Sequence, residues 1–306
     1  MRKISLISFI VLIVALCFSS CKKPEIEDSI EDVPIPEEEE ITVFVSKEKE
    51  AQRILLDEFT GHQCQYCPDG HKRANTLATQ HPNQLYVMNI HAGSLSSFNS
   101  SGSTYKENFR TPEGTELYTY YKIKGVPSGV INRCEYTLKI SGKDSIVVAL
   151  NRGYWASVIN QIKGNLAPAN VAAKTKIKKS DRTLECEVQA CFTEAVAETS
   201  YIHVAILQNE IIGDQTNGGE NPDYVTTGGK YRHMHVFRGF ITGTWGEAMT
   251  VDKDSFYRKK FTYTLPENVE NVGLDINNIE ILVFITNGDG GKGRVLTVNK
   301  SQISIE

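Results

Sequence analysis

Two cysteines, Cys64 and Cys67, stand between a predicted strand and a predicted helix. The strand, residues 54–60, is dense in branched and aromatic side chains. The helix follows Pro68 and has apolar residues at helical spacing, and residues 85–90 read as a second strand. Strand, helix and strand in this order predict a βαβ unit in which the cysteine pair lies where the first strand gives way to the helix.

This position suits thiol chemistry. A cysteine at the N-terminus of a helix faces free N–H groups and the positive end of the helix dipole, which stabilise a thiolate and lower the pKa of the thiol. Two intervening residues let the second cysteine attack a mixed disulfide formed at the first. We therefore expect Cys64 to be the exposed nucleophile and Cys67 the more buried resolving thiol.

Four neighbouring side chains are candidates for tuning this pair. Gln65 and Tyr66 lie between the cysteines and would set their redox properties. His62 or His71 would favour the thiolate if the imidazole were charged.

Residues 124–132, with the sequence KGVPSGVIN, resemble a segment of the thioredoxin superfamily in which Gly-x-Pro enters a strand. The resemblance implies that the Val126–Pro127 bond is cis and that Pro127 lies beside the cysteine pair, in the substrate groove. A strand from about residue 130 and a helix near residues 147–163 would complete the module. Residues 92–121 exceed a minimal thioredoxin, so we expect an insertion whose loop-like first part could cover the site.

Other interpretations of the cysteine pair remain open. The two cysteines could form a purely structural disulfide across one helical turn. The spacing His62-x-Cys64-x-x-Cys67-x-x-x-His71 could also supply metal ligands, although a strand-to-helix context favours redox chemistry. Pro68 stands where covalent haem attachment would need a histidine. We expect neither a bound metal nor a cofactor.

The second half of the chain changes to short alternating strands separated by turns. These strands predict an antiparallel β-sandwich of the immunoglobulin-like type. Residues 213–230 are rich in Gly and Asn and predict an exposed loop. On one continuous strand, His233 and His235 would share a face, and a structural role for them is expected over metal binding. The predicted strands are residues 171–178, 184–190, 201–207, 261–265, 279–286 and 294–299.

The N-terminus predicts export. Two basic residues, an apolar run and small residues precede Cys21, the layout of a secretory signal peptide with a lipid-accepting cysteine. The following segment is rich in Pro and Glu and cannot bury enough apolar surface to fold. We therefore expect a signal peptide over residues 1–20 and a lipidated, disordered acidic tether over 21–45. A thioredoxin-like domain over 46–166 and the sandwich over 167–306 would follow.

Composition limits which partners are expected and which cysteines could form disulfides. The chain has 33 basic and 37 acidic residues, and cleavage of the signal removes only basic ones, so a nucleic-acid partner is not expected. An exported chain can form disulfides. Besides the central pair, Cys134 could bond to Cys186 or to Cys191. The expected contacts are a membrane, through the lipid on Cys21, and exported protein or peptide clients; the oligomeric state is open.

Several features in order resemble a known family: the signal with its cysteine, the segment from Thr60 to Pro68, the segment 125–133, and the His- and Trp-containing stretch 231–247. Together they resemble the Omp28-related outer membrane lipoproteins of Bacteroidota. The resemblance implies an outer-membrane location, facing the periplasm or the cell surface.

Two hypotheses for function follow. In the first, the protein catalyses thiol–disulfide exchange on exported proteins. In the second, it is a non-catalytic surface adhesin or a binding component of an envelope complex, and Cys64–Cys67 is a structural disulfide. Solvent exposure of the Cys64 sulfur distinguishes the two, because an exchange catalyst must present that sulfur to its client.

Overall fold

The computed structural model describes residues 42–251 and 255–306, so the predicted signal peptide, Cys21 and most of the tether lie outside the described residues. Residues from Val43 onward form one compact unit. The end of the predicted tether already packs on this unit, because Val45 is buried and the Phe44 N–H donates to the side chain of Gln189 at 2.9 Å. Within the described ranges, no helix combines the length and the apolarity needed to cross a bilayer.

The described residues are mostly β. The α-helices are α1 Cys67–Gln80, α2 Pro112–Tyr120 and α3 Trp155–Ile162. The strands up to residue 177 are β1 Ile54–Thr60, β2 Leu85–His91, β3 Ser128–Ile131, β4 Tyr136–Ile140, β5 Lys143–Val147, β6 Ala149–Asn151 and β7 Ala169–Ile177. The later strands are β8 Thr183–Phe192, β9 Ser200–Gln208, β10 Ile211–Gly213, β11 Tyr231–His233, β12 Val236–Phe240, β13 Glu247–Ala248, β14 Phe256–Thr264, β15 Asn268–Val269, β16 Val272–Gly273, β17 Ile279–Asn287, β18 Val295–Lys300 and β19 Gln302–Ile305.

The first strands form the predicted βαβ unit. Strand β1 pairs in parallel with β2 and antiparallel with β3, and β3 pairs antiparallel with β6. These pairings have the order expected of a thioredoxin-like module. Ile54 and Leu56 of β1 pack with Ala74 of α1 and Trp155 of α3 in one hydrophobic cluster. Successive side chains of a strand point to opposite faces, so Leu55 belongs to a different cluster on the other side of the sheet.

The helix expected near residues 147–163 begins later than predicted. Residues up to Asn151 are in strands β5 and β6, and α3 starts only at Trp155. The run Ile146-Val147-Val148 is β-branched, which favours a strand. Gly153 lies between this strand region and the helix, where a turn is needed.

One sheet runs through both halves of the chain. Its main path has the order β18-β17-β9-β12-β2-β1-β3-β6, and β13 pairs with β9. Strand β12 lies parallel to β2, with Val236 opposite Asn89. The boundary expected at residues 166 and 167 therefore does not interrupt the sheet. The sheet is also curled, because the Val295 N–H of edge strand β18 donates to the carbonyl of Asn132, beside β3, at 2.8 Å.

A second sheet, with the order β14-β8-β7-β19, covers part of the first. Alternate residues of β9 and β17, such as Val204 and Val283, pack with Val188 of β8 and Phe261 of β14 in one cluster. The six strands predicted in this half are confirmed, within a few residues at their ends, as β7, β8, β9, β14, β17 and β18. Two sheets thus share one core, and the immunoglobulin-like topology stays a prediction.

The stretch from Tyr231 to Phe237 is not one strand. It divides into β11 and β12 at His235, whose φ of 52° is in the left-handed region and turns the chain. The expected common face of His233 and His235 is therefore wrong. His235 Nδ1 instead lies 2.7 Å from the Glu280 carboxylate, while His233 is buried.

Candidate functional site

The cysteine pair lies where the sequence placed it. Cys64 and Cys67 form a disulfide with a Cα–Cα distance of 5.4 Å, and Cys67 is the first residue of α1. The Val126–Pro127 peptide bond is cis, as the resemblance implied. Cys64 Sγ is 3.5 Å from the carbonyl oxygen of Val126, so Pro127 and the disulfide are neighbours. The strand, the helix and the proline-containing segment together build one site.

The exposure of Cys64 differs from the prediction. Cys64 is 2% exposed and Cys67 is 0% exposed, so the expectation of an exposed Cys64 is wrong for this conformation. Tyr66, between them, is 56% exposed, and the guanidinium of Arg152 lies 5.5 Å from the centre of its ring. The surface above the disulfide therefore presents the dipeptide Gln65-Tyr66, while the sulfur atoms lie beneath it.

Residues 214–217, which we call the covering segment, bond to the cysteine loop from the second half of the chain. The Gln215 side-chain amide donates to the carbonyl of Cys64 at 3.0 Å. The Asn217 side-chain amide donates to the carbonyl of Gln65 at 3.1 Å. Both bonds end on backbone carbonyls of the cysteine loop, so the covering segment holds this loop through its main chain.

The predicted insertion contacts the site from another side. A Cβ on Gly61 would come within 2.5 Å of the Leu95 carbonyl oxygen, so only glycine fits this close approach. The Gln63 side-chain amide donates to the carbonyl of Ser97 at 2.6 Å. The loop-like part of residues 92–121 therefore packs on the turn before Cys64, as the sequence suggested it could.

A buried carboxyl group lies beneath the site, and the sequence analysis missed it. Glu58 is 0% exposed, and neither carboxylate oxygen has a hydrogen-bond partner among the described residues. A Cβ on Gly70, in the first turn of α1, would come within 2.8 Å of both Glu58 Oε1 and Pro127. The carboxyl group is thus wedged between the start of the helix and the proline. Burial raises the pKa of Glu58 well above its ordinary value.

Neither candidate histidine supplies a positive charge near neutral pH. His71 bonds to Thr60 at 2.8 Å and to Tyr231 at 3.1 Å, and burial lowers its pKa to about 4. His62 bonds to the carbonyl of Ser97, and burial lowers its pKa too. The condition under which these histidines would favour a thiolate, a charged imidazole, is therefore not met near neutral pH. The His71–Tyr231 bond instead ties α1 to strand β11.

Three buried histidines surround one phenylalanine next to the site. The ring centre of Phe109 lies 5.6 Å from His62, 4.8 Å from His91 and 4.7 Å from His233. The benzene ring occupies the middle of the group, where a metal would have to sit. Over residues 42–251 and 255–306, no three His, Cys, Asp or Glu side chains are arranged to hold a metal ion. The cluster is an aromatic core in which His233, from the second half of the chain, packs against Phe109 of the first half.

The remaining cysteines do not form the disulfide considered from the sequence. Cys134 and Cys186 are free thiols, so Cys134 bonds to neither Cys186 nor Cys191. Burial raises the pKa of both free thiols, to about 11 for Cys186. Both are therefore protonated at neutral pH and are poor nucleophiles.

Comparison with known proteins identifies the family. A family model described as outer membrane protein Omp28 matches residues 114–306, more than half of the chain. The chain belongs to the Omp28 family. This Omp28 protein is accordingly an outer membrane protein. The matched region includes Pro127 and the covering segment, whereas Cys64 and Cys67 precede it.

Two solved structures are similar to this Omp28 chain at low sequence identity. HBP35 of Porphyromonas gingivalis aligns with a TM-score of 0.59 and 16% identity, over 83% of this chain and 76% of that chain. A protein of Agrobacterium tumefaciens aligns with a TM-score of 0.45 and 14% identity, over 83% of this chain and 95% of that one. No curated protein matches the chain significantly.

Proposed function

We propose that this Omp28-family protein is a lipoprotein, anchored through Cys21, that exchanges disulfides with exported proteins through Cys64 and Cys67. The observation that carries the proposal is Glu58: a wholly buried carboxyl group that has no hydrogen-bond partner among the described residues and lies against the first turn of the helix that bears the disulfide. Burying such a group costs on the order of 1–3 kcal/mol. A purely structural disulfide does not require a buried carboxyl group beside it. Disulfide exchange, in contrast, requires a group that donates and accepts a proton next to the cysteine pair.

The step is a two-electron exchange between a client dithiol and the Cys64–Cys67 disulfide. A client thiolate attacks Cys64 Sγ, a mixed disulfide forms, and Cys67 leaves as a thiolate that takes the proton of Glu58. The second client thiol, having lost its proton to water, then attacks the client sulfur of the mixed disulfide. Cys64 leaves as a thiolate that the helix N-terminus stabilises. The client is oxidised to its disulfide, the cysteine pair is reduced, and the reverse reaction uses the same atoms.

The closed site adds one requirement. With Cys64 only 2% exposed, a client thiolate reaches the sulfur only after the covering segment moves. Catalysis in this proposal therefore depends on opening, and the side-chain bonds of Gln215 and Asn217 are the ones that must break.

The burial of Cys64 is the result that the sequence analysis expected of the second candidate, in which the disulfide is structural and the protein is a non-catalytic surface adhesin or a binding component of an envelope complex. In that case the covering segment never opens. The two facing sheets, which we propose to form an immunoglobulin-like sandwich in residues 167–306, then supply the binding surface together with the tether. The Cys64–Cys67 bond would stabilise the fold by about 2 kcal/mol, as expected for a very short loop.

Oxidative refolding of a reduced test protein separates the two candidates. We expect the mature wild-type protein to accelerate disulfide formation and Cys64→Ser to abolish the acceleration. Glu58→Gln should slow the reaction about 100-fold, since it removes a general acid. Cys134→Ser serves as the control, because Cys134 is a free thiol outside the site. If the wild type is no faster than Cys64→Ser, exchange is refuted and the structural candidate stands.

A further inference from the structure

A histidine of α1, His71, faces the buried carboxyl group of Glu58. Its Nε2 atom lies 3.9 Å from Glu58 Oε1 and 2.8 Å from the hydroxyl oxygen of Thr60. Glu58 and Thr60 are two residues apart on β1, so their side chains point to the same face of the strand. All three side chains are buried. What His71 can do for the carboxyl group depends on whether Nε2 carries a proton or a lone pair.

A chain of hydrogen bonds determines which nitrogen of His71 carries the proton. The Asn221 side-chain amide donates to the hydroxyl oxygen of Tyr231 at 2.9 Å. The proton of that hydroxyl is then available to His71 Nδ1, which lies 3.1 Å away. Burial lowers the pKa of His71 to about 4, so near neutral pH the imidazole has one N–H group and one acceptor nitrogen. Because Nδ1 accepts from Tyr231, the proton lies on Nε2, which donates to Thr60 and faces Glu58.

The surroundings of His71 leave Glu58 as the neighbour whose charge changes during exchange. The titratable side chains around His71 are those of Glu58, Tyr231, His91, His233 and His235. Burial lowers the pKa of His91 and His233 and raises that of Tyr231, so these three side chains are uncharged near neutral pH. His235 is bonded to the Glu280 carboxylate at 2.7 Å. Glu58, in contrast, becomes a carboxylate when Cys67 takes its proton.

We propose that His71 is a positioning residue for disulfide exchange, whose Nε2–H group turns from Thr60 to the Glu58 carboxylate and stabilises it after Cys67 is protonated. The inference rests on the proposed function, in which Glu58 is the proton donor. The N–H group moves by about 1 Å to come within hydrogen-bond range of the carboxylate. No proton leaves His71, and only hydrogen bonds form and break in this step.

The orientation set by Asn221 and Tyr231 is essential to this role. A buried carboxylate without a donor is costly, and a donor lowers that cost by favouring the charged form. If Nδ1 carried the proton, Nε2 would present a lone pair to the carboxylate and would disfavour it. Two residues from the second half of the chain thus prepare a histidine of the first half for an acid that they do not themselves contact through a hydrogen bond.

Nitrogen NMR of the oxidised mature protein with isotope-labelled histidine locates the proton, and His71→Gln identifies the signal by its absence. We expect a neutral imidazole protonated at Nε2 in the wild type at about pH 7. Asn221→Asp replaces the amide donor with a carboxylate that accepts from Tyr231, so Nδ1 should gain a proton at about pH 8, where aspartates are ionised. A wild-type proton on Nδ1, or an Asn221→Asp variant in which Nδ1 stays unprotonated, would overturn the inference.

Asn75→Asp is the matched control for the added charge. Asn75 lies four residues after His71 on α1, and its side chain bonds to Tyr224. The proton should therefore stay on Nε2 in this variant. A proton on Nδ1 in both aspartate variants would show a general effect of charge and would also overturn the inference.

Infrared titration of the oxidised protein measures the pKa of Glu58, whose carboxyl band is identified by its loss in Glu58→Gln. His71→Leu removes the donor and should shift the protonation equilibrium of Glu58 about tenfold toward the acid, which is seen as a higher pKa. His71→Gln keeps an N–H group at the place of Nε2 and should restore most of the wild-type equilibrium. Equal values in His71→Leu and wild type, or equal shifts in both His71 variants, would count against the role of His71.

These measurements separate this inference from the proposed function. They are made on the oxidised protein without a client, so they do not depend on exchange activity. Failure of the wild type to accelerate oxidative refolding refutes exchange. A wrong tautomer or an unchanged Glu58 equilibrium refutes only the role of His71. The wild-type tautomer provides a test even where a His71 variant does not fold.

Discussion

At the scale of single residues, the strand Ile54–Thr60 contains an unusual pair. Asp57 and Glu58 are adjacent, so they point to opposite faces of β1, and both are 0% exposed. Asp57 has Arg133 as a partner, whereas Glu58 has a histidine nitrogen of His71 at 3.9 Å and no hydrogen bond among the described residues. One acid is thus neutralised by an ion pair, and the other by keeping its proton.

The protonated state of Glu58 has a measurable effect on stability. The ordinary pKa of a glutamate is 4.5, and burial raises that of folded Glu58 well above this value. The folded protein therefore holds a proton that the unfolded chain releases, so this group makes stability fall as pH rises above about 4.5. Relative to wild type, Glu58→Gln should gain on the order of 1–3 kcal/mol in free energy of unfolding between about pH 5 and about pH 8.

Urea unfolding at both pH values measures this gain. Glu185→Gln is the control, since Glu185 is exposed. A difference between Glu58→Gln and wild type that does not change with pH would contradict a raised pKa at this site.

The sequence contains a signal for Glu58. Two acidic residues stand inside a strand that is otherwise dense in branched and aromatic side chains, and a buried carboxyl group needs either a partner or a function. The exposure of Cys64, in contrast, could not be predicted locally. The cysteine loop is held by Gln215 and Asn217, which are distant in sequence and lie in a segment predicted to be an exposed loop.

At the scale of elements, the bounds of strands with regular alternation were predicted well, whereas the strands with which they pair were not. Strand β1 has the predicted bounds, and β17 extends the prediction by one residue. Alternation fixes which face a residue occupies but says nothing about which strand lies beside it. Nothing in the local sequence of either strand therefore predicts that β12 pairs with β2. The break between β11 and β12 at His235 was also not predicted, because the sequence gives little indication that a non-glycine residue will adopt a left-handed backbone conformation.

The covering segment is the element whose motion can be tested directly. Gln215 donates to three backbone carbonyls, those of Gly61, Cys64 and Thr216. Gln215→Ala removes these bonds and should increase the rate at which dithiothreitol reduces the disulfide by about tenfold, corresponding to one or two lost hydrogen bonds.

Mass spectrometry after rapid alkylation follows the reduction of Cys64 and Cys67. Thr226→Ala is the matched control, because Thr226 lies in the same loop and its hydroxyl bonds within that loop, to Lys230. Equal rates in Gln215→Ala and wild type would mean that this side chain does not limit access to the sulfur.

At the scale of the whole molecule, the continuous sheet joins the two halves. Leu55 and Phe59 of β1 share a hydrophobic cluster with Leu207 of β9 and Phe284 of β17. Removing either half would expose this cluster and an edge of the sheet. The halves should therefore depend on each other for stability.

Unfolding can be followed separately in each half, because Trp155 and Trp245 are the two tryptophans of the chain. In urea, the single-tryptophan variants Trp245→Phe and Trp155→Phe should each show one transition that coincides with loss of the far-ultraviolet circular dichroism signal. Wild-type protein provides the reference for both. Two well-separated transitions would instead show that the halves are independent folding units.

The place of β12 beside β2 also has a consequence for biogenesis. A chain secreted across the inner membrane emerges N-terminus first, so β1, β2 and β3 reach the periplasm before residue 236 does. Throughout that interval one side of β2 presents unpaired N–H and C=O groups, which readily template pairing with other chains. We therefore expect newly translocated molecules to be prone to pairing with other chains until the last quarter of the polypeptide arrives.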